Sequence, residues 1–193
     1  MGYYPVMLDL GQRSVVVVGT GSEALAKIEG LLAAGARIEV FDTVLEGPVA
    51  GVIAETVVYT PRLPRFEELR DRALVIAAHR DMDVNRQVAH MAQQAGALLN
   101  VVDQPALSTC IMVSQLRRGD LVIGVSTSGK APGLSRRIRQ ALESLFDDQW
   151  VQRLNVFHER RESVRACYHG EARRSRIREE EERVMKDWKE MRR

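Results

Sequence analysis

The chain has 193 residues, 45% of them hydrophobic and 28% charged, with a formal charge of +2. That length holds one α/β domain plus an appendage. The near-neutral charge gives no general argument for a nucleic-acid or membrane partner, and no apolar run is long enough to span a bilayer.

The opening MGYYPVMLDL lacks the basic start and long apolar run of a secretory leader. Cys110 and Cys167 show neither metal-ligand nor redox spacing, so a cytoplasmic protein with two idle thiols is expected. Tyr4–Leu8 reads as an extended lead-in tucked against a sheet edge. Four β-branched residues, Val15–Val18, then make a strand buried on both faces, over about Ser14–Val18.

Gly19-Thr20-Gly21-Ser22-Glu23-Ala24 turns this strand into a helix running to about Ala34. The first glycine permits a tight turn, the second leaves no side chain where a pyrophosphate would lie, and Ala24 lets the helix sit close to the strand. The helix N-terminus aims free N–H groups and positive potential at the phosphates. Ala24, Ile28, Leu31 and Leu32 share the side that faces a sheet, and Gly35 ends the helix. A second strand at about Arg37–Phe41 ends in Asp42. An acid roughly twenty residues past the glycines is placed to accept hydrogen bonds from an adenosine ribose. A 2′-phosphate there would meet a like charge, which favours NAD over NADP.

Thr56–Tyr59 reads as a short third strand. Pro61 and Pro64 interrupt the chain, and Phe66–Arg70 suits a short helix. Ala73–Ala78 is a fourth, buried strand. Asp81–Ala95 is a helix with Val84, Val88, Met91 and Ala95 in register, and Leu98–Val102 is the fifth strand. Strand–helix alternation of this kind implies a parallel, right-handed wound sheet of Rossmann type, over residues 1–106.

The pattern changes after Asp103. Cys110–Val113 and Leu121–Val125 are apolar β runs around Arg117-Arg118-Gly119-Asp120, with no helix between them, and are therefore expected to pair antiparallel. Ser126–Gly133 is a polar, glycine-rich loop, and Leu134–Phe146 a helix carrying Arg136, Arg137 and Arg139. These elements make a small α+β region at 107–145, and 146–193 is helical and charged. There, Ile177, Val184, Trp188 and Met191 form an apolar stripe, with Glu179/Arg183 and Glu182/Lys186 at pairing distance along the helix. His79, His90, His158 and His169 form no ligand cluster by spacing, so no metal site is expected.

With these residues in view, the chain resembles the precorrin-2 dehydrogenases of siroheme synthesis, including the N-terminal module of bifunctional siroheme synthases. Carrying the resemblance are Pro5–Leu10 leading into Gly19-Thr20-Gly21, Ala77-Ala78-His79-Arg80-Asp81, Asn85 with Arg86, Asn100–Asp103, and Val125–Pro132, in unbroken order over about residues 3–145. It implies NAD-linked oxidation of precorrin-2 to sirohydrochlorin, with ferrous iron as a further substrate in some members. It also implies a homodimer built through the strands after the Rossmann domain. Several positions depart from the family pattern. Thr20 stands where a third glycine is usual, Ala26 where an arginine is, and His79 and Arg80 where a threonine and an acid are. Cys110 replaces an aromatic and Val113 a proline.

Within that frame Ser22 and Glu23 lie by the pyrophosphate, Thr43 and Val44 border the adenine, and Ala78 and His79 stand at a strand end where nicotinamide approaches. Asp103 is the candidate catalytic base, since a carboxylate at the crevice can take a proton as NAD⁺ takes a hydride. Ser126, Thr127, Ser128 and Lys130, helped by Arg117 and Arg118, are candidates to bind the substrate's many carboxylates in a basic mouth. The competing reading is a non-enzymatic NAD-sensing module acting through its helical tail; a carboxylate at the crevice favours the enzyme.

Overall fold

The computed structural model describes residues 2–52 and 57–190. Two compact units emerge, 1–112 and 113–193.

The first unit is a five-stranded parallel sheet with helices on both faces. In chain order it contains β1 (Ser14–Val18), α1 (Ser22–Ala33), β2 (Arg37–Phe41), the single turn α2 (Gly47–Ala50) and β3 (Val57–Thr60). The single turn α3 (Phe66–Leu69), β4 (Leu74–Ala77), α4 (Met82–Gln94) and β5 (Leu99–Val101) complete it. The strand order β3-β2-β1-β4-β5 makes it a Rossmann-type sheet. Its topological switch point, where such sheets bind ligands, lies at the carboxyl ends of β1 and β4. Period-two alternation divides the four valines of β1. Val15 and Val17 pack with Ile28 and Leu31 of α1, and Val16 and Val18 pack with Val88 and Ala92 of α4. Both faces are dry, which is why the strand reads as an unbroken apolar run.

The expected strands and helices of this unit are present, with ends shifted by a residue or two. Thr56, expected to open the third strand, lies outside the described residues. The lead-in differs from expectation. Tyr4 is 87% exposed and Met7 75%, and the chain first enters the core at Leu10. Pro5 has no N–H to donate to a ladder, which weakens that segment as an edge strand.

The second unit begins with an antiparallel hairpin, β6 (Ser114–Arg118) and β7 (Leu121–Val125), in which Arg118 faces Leu121 across a two-residue loop at Gly119 and Asp120. The first of these strands was expected at Cys110–Val113. Backbone pairing moves it: the N–H groups of Thr109 and Cys110 both donate to the Leu99 carbonyl, and the hydroxyls of Ser108 and Thr109 accept the N–H groups of Val101 and Leu99. Residues 108–110 are thereby committed to the open side of β5, and the hairpin starts after them.

Helices α5 (Pro132–Glu143), α6 (Gln149–Cys167) and α7 (Gly170–Glu190) follow. The last two form a helical hairpin closed by a cluster of Phe146, Trp150 and Trp188, with ring centroids 5.2–5.6 Å apart. The Trp188 indole N–H donates to the Leu145 carbonyl at 3.1 Å. The expected stripe is half-buried at Ile177, Val184 and Trp188, and Met191 lies outside the described residues. The ion pairs of α7 join other partners than those expected: Arg176–Glu179 and Arg183–Glu180 three residues apart, and Lys186–Glu190 four apart. Among the described residues, no helix is long and apolar enough to cross a membrane.

Candidate functional site

The first turn after β1 sets the geometry. Gly19 has φ +120°, and a Cβ on it would lie 2.3 Å from the Ala78 carbonyl oxygen. Only glycine lets β1 and β4 approach so closely there. Gly21 is different. It is the N-cap of α1 with φ −74°, it makes no side-chain cap, and a Cβ on it would meet nothing nearer than Glu46 Oε2 at 3.7 Å. Uncapped N–H groups at a helix start, beneath a cradle that a side chain would fill, fit a diphosphate. Ser22 and Glu23 are exposed on the first turn of α1.

Asp42 follows β2 at the same sheet edge and is only 4% exposed. Its Oδ1 accepts the Val44 N–H at 3.2 Å and lies 3.5 Å from His79 Nε2. Its Oδ2 is 3.2 Å from the Thr20 hydroxyl. The carboxylate expected to face a ribose is thus already held on three sides. The Tyr59 hydroxyl donates to the Asp42 carbonyl at 2.9 Å; burial first, then the Asp42 charge, push that hydroxyl's pKa up. Thr43 and Val44 are exposed beside it.

His79 follows β4, yet its ring points back across β1 to Asp42, placing it at the ribose side of the crevice. The Asp81 N–H donates to Nδ1 at 3.0 Å, so the ring hydrogen of the neutral imidazole sits on Nε2, facing the carboxylate. Asn85 fixes the backbone: its Oδ1 accepts the His79 N–H at 3.0 Å and its Nδ2 donates to the His79 carbonyl at 2.7 Å. Asn85 is 2% exposed on the inner face of α4. It is a positioning residue, marked in the sequence by a polar side chain among Val84, Val88 and Ala89.

Thr20 is a second such residue. It is 1% exposed. Its one hydroxyl hydrogen is shared between the Val44 carbonyl at 2.7 Å and Asp42 Oδ2 at 3.2 Å, and its oxygen accepts the Glu46 N–H at 3.2 Å. The residue that departs from three glycines therefore ties down the loop after β2.

Asp103 lies two residues past β5, beyond Val101, the partner of Ala77 in β4. It is exposed and has φ +56°, a conformation aspartate adopts more readily than most residues. Its place is the same sheet edge as Gly19 and His79. In the second unit, the Ser126 hydroxyl accepts the Ser128 N–H at 3.0 Å and the Thr127 hydroxyl accepts the Ala131 N–H at 3.0 Å. These two hydroxyls shape the turn, while Ser128 (φ +54°) and Lys130 stand exposed on it. Arg118 pairs with Asp148 at 3.0 Å.

Comparison with known proteins agrees with this geometry. A family described as "Putative NAD(P)-binding" matches residues 6–114, and one described as "Sirohaem biosynthesis protein central" matches 118–145. A siroheme synthase of Nitrosomonas europaea is 39% identical over 177 residues, covering 90% of this chain and 37% of that protein. One from Neisseria meningitidis serogroup C is 35% identical over 167 residues, covering 86% and 35%. The chain thus spans about a third of the length of these curated relatives. A solved structure titled "SirC, precorrin-2 dehydrogenase" superposes with TM-score 0.73 at 25% identity, covering 95% of this chain and 100% of that one. The cofactor expected from the glycine turn, NAD, agrees with the family description. Because that match spans more than half of the chain and the sirohaem central region follows it in order, the chain belongs to the NAD(P)-binding family found in siroheme synthases and precorrin-2 dehydrogenases.

Proposed function

We propose that this chain oxidises precorrin-2 to sirohydrochlorin with NAD⁺. The observation that carries the reading is the likeness to a precorrin-2 dehydrogenase along nearly the whole of both chains, joined to an uncapped helix N-terminus at Gly21, where the missing side chain leaves room for a diphosphate.

Bound NAD⁺ supplies a hydride acceptor. Gly19, Gly21, Ser22 and Glu23 would hold its diphosphate end, Asp42, Thr43, Val44 and His79 its adenosine end, and Ala78, just past β4, would border the nicotinamide. Asp42 favours NAD over NADP, since its charge opposes a 2′-phosphate. Asp103 would accept the proton that the substrate releases when the hydride leaves. Ser126, Thr127, Ser128 and Lys130 would bind substrate carboxylates, with region 107–145 also forming a homodimer. Ferrous iron insertion into the product is a second activity of the same reading, with iron as substrate.

Incubating the protein with precorrin-2 and NAD⁺ and following the absorption spectrum tests the reaction. Appearance of sirohydrochlorin with one equivalent of NADH supports it, and an unchanged spectrum in the presence of bound NAD⁺ refutes it. Light scattering at micromolar concentration tests the dimer.

A further inference from the structure

The loop after β2 and the turn after β4 are joined beside Gly21 by an ion pair. Arg80 Nη1 lies 3.3 Å from Glu46 Oε1. The other carboxylate oxygen, Oε2, would be 3.7 Å from a Cβ on Gly21. Glu46 therefore holds a negative charge beside the open space where a diphosphate fits, next to the N-cap of α1. Two like charges cannot share that space at low cost. Nor is Glu46 loosely placed: Thr20 accepts its backbone N–H at 3.2 Å. The side chain is free to move where the backbone is not, because the pair is open to solvent, with 64% of the Arg80 and 36% of the Glu46 side chain exposed. Exposed pairs of this kind contribute little to stability and exchange partners readily.

We propose that Glu46 and Arg80 form an exchangeable latch at the diphosphate seat. Glu46 occupies the seat's edge in the empty protein and withdraws as the dinucleotide enters. Arg80 passes from the Glu46 carboxylate to the diphosphate, so its guanidinium keeps an anionic partner in both states. Arg80 becomes a cofactor-binding residue, and Glu46 one that opposes binding. This rests on dinucleotide binding, and not on precorrin-2 as substrate.

Calorimetric titration of the full chain with ADP-ribose, NAD⁺ and adenosine tests the latch. Glu46→Gln is expected to tighten ADP-ribose and NAD⁺ binding about threefold, the size of an exposed charge effect at a helix N-terminus. Arg80→Ala is expected to weaken both about fivefold through loss of a charge-assisted contact. Adenosine, which has no phosphate, should bind all variants alike. Both shifts should shrink in 1 M salt, where charges are screened over about 3 Å, whereas a purely structural effect would persist. Unchanged thermal unfolding shows that the variants are folded. A Glu46→Gln variant that binds ADP-ribose no tighter, or an Arg80→Ala variant that binds it equally well, overturns the latch. A loss in Arg80→Ala seen with NADP⁺ but not ADP-ribose places Arg80 at the ribose 2′ position and also overturns it. If the wild-type protein binds neither NAD⁺ nor ADP-ribose, the cofactor assignment falls and the latch with it.

Discussion

His79 Nε2 lies 3.5 Å from the Asp42 carboxylate, spanning the width of β1 to join the residues that follow β4 and β2. Asp42 is buried, so each donor around it offsets the loss of water. Replacing His79 by alanine leaves it with the Val44 N–H and the Thr20 hydroxyl. We expect His79→Ala to lower stability by about 1 kcal/mol, because a mostly buried polar neighbour of a buried carboxylate is lost. Chemical denaturation reads this directly. An unchanged midpoint and slope would mean that the contact contributes nothing.

Much of the first unit was legible because its signals are local and repeated. The run Val15–Val18, the glycine turn and the acid after β2 each follow from short-range rules of strand burial, backbone sterics and spacing. The partners of Asp42 were not legible. Thr20, His79 and Asn85 come together only once the parallel sheet aligns the ends of β1, β2 and β4, and no spacing rule encodes that convergence. The misplaced β6 has a similar cause. Cys110–Val113 has the apolar character of a strand, but pairing of Thr109 and Cys110 with Leu99 uses part of that run elsewhere. Tertiary pairing overrode propensity there.

The two glycines of the turn should fail in different ways. A Cβ on Gly19 would meet the Ala78 carbonyl at 2.3 Å at a φ of +120°. Gly19→Ala is therefore expected to destabilise the fold by about 2 kcal/mol or more, whether or not cofactor is present. Gly21 has ordinary φ, and a Cβ on it would meet nothing nearer than Glu46 Oε2 at 3.7 Å. Gly21→Val should keep most of the stability and lose NAD⁺ binding, because its side chain fills the diphosphate seat. Thermal unfolding and calorimetry on both variants separate the effects. Equal loss of stability in the two would contradict the distinction.

Acid stability has a named contributor just past β3. Arg62 forms two hydrogen bonds with the Glu68 carboxylate, at 2.7 and 2.5 Å, and the Arg65 N–H adds a third. Chiefly through the Arg62 bond, the Glu68 pKa falls from 4.5 to about 2. A carboxylate whose pKa is lower folded than unfolded stabilises the fold above the unfolded value, and that stabilisation is lost as pH falls toward the folded value. Glu68→Gln should therefore be less stable than wild type at pH 7, with the difference narrowing between pH 4.5 and about 2. Denaturation curves across that window check it. A constant difference would assign the effect to packing instead of charge.

The proposed catalytic base is tested most sharply by Asp103→Asn. The position has φ +56°, and asparagine tolerates that conformation as well as aspartate does. The substitution should thus leave the fold intact, where Asp103→Ala would add backbone strain and confuse the result. Asparagine cannot take up the proton released as the hydride leaves. Loss of a general base typically lowers the rate about 10²- to 10⁴-fold. We expect turnover of precorrin-2 to fall on that scale while the NAD⁺ dissociation constant stays within about twofold, because the deficit lies in proton transfer and not in binding. Near wild-type turnover would make Asp103 structural and direct the search to Ser126, Thr127 and His79. A fall in turnover matched by an equal fall in NAD⁺ affinity would move Asp103 into the cofactor site. Assaying the same variant for ferrous iron insertion into supplied sirohydrochlorin asks whether one carboxylate also relays protons from the ring nitrogens. Parallel loss in both assays is expected if it does.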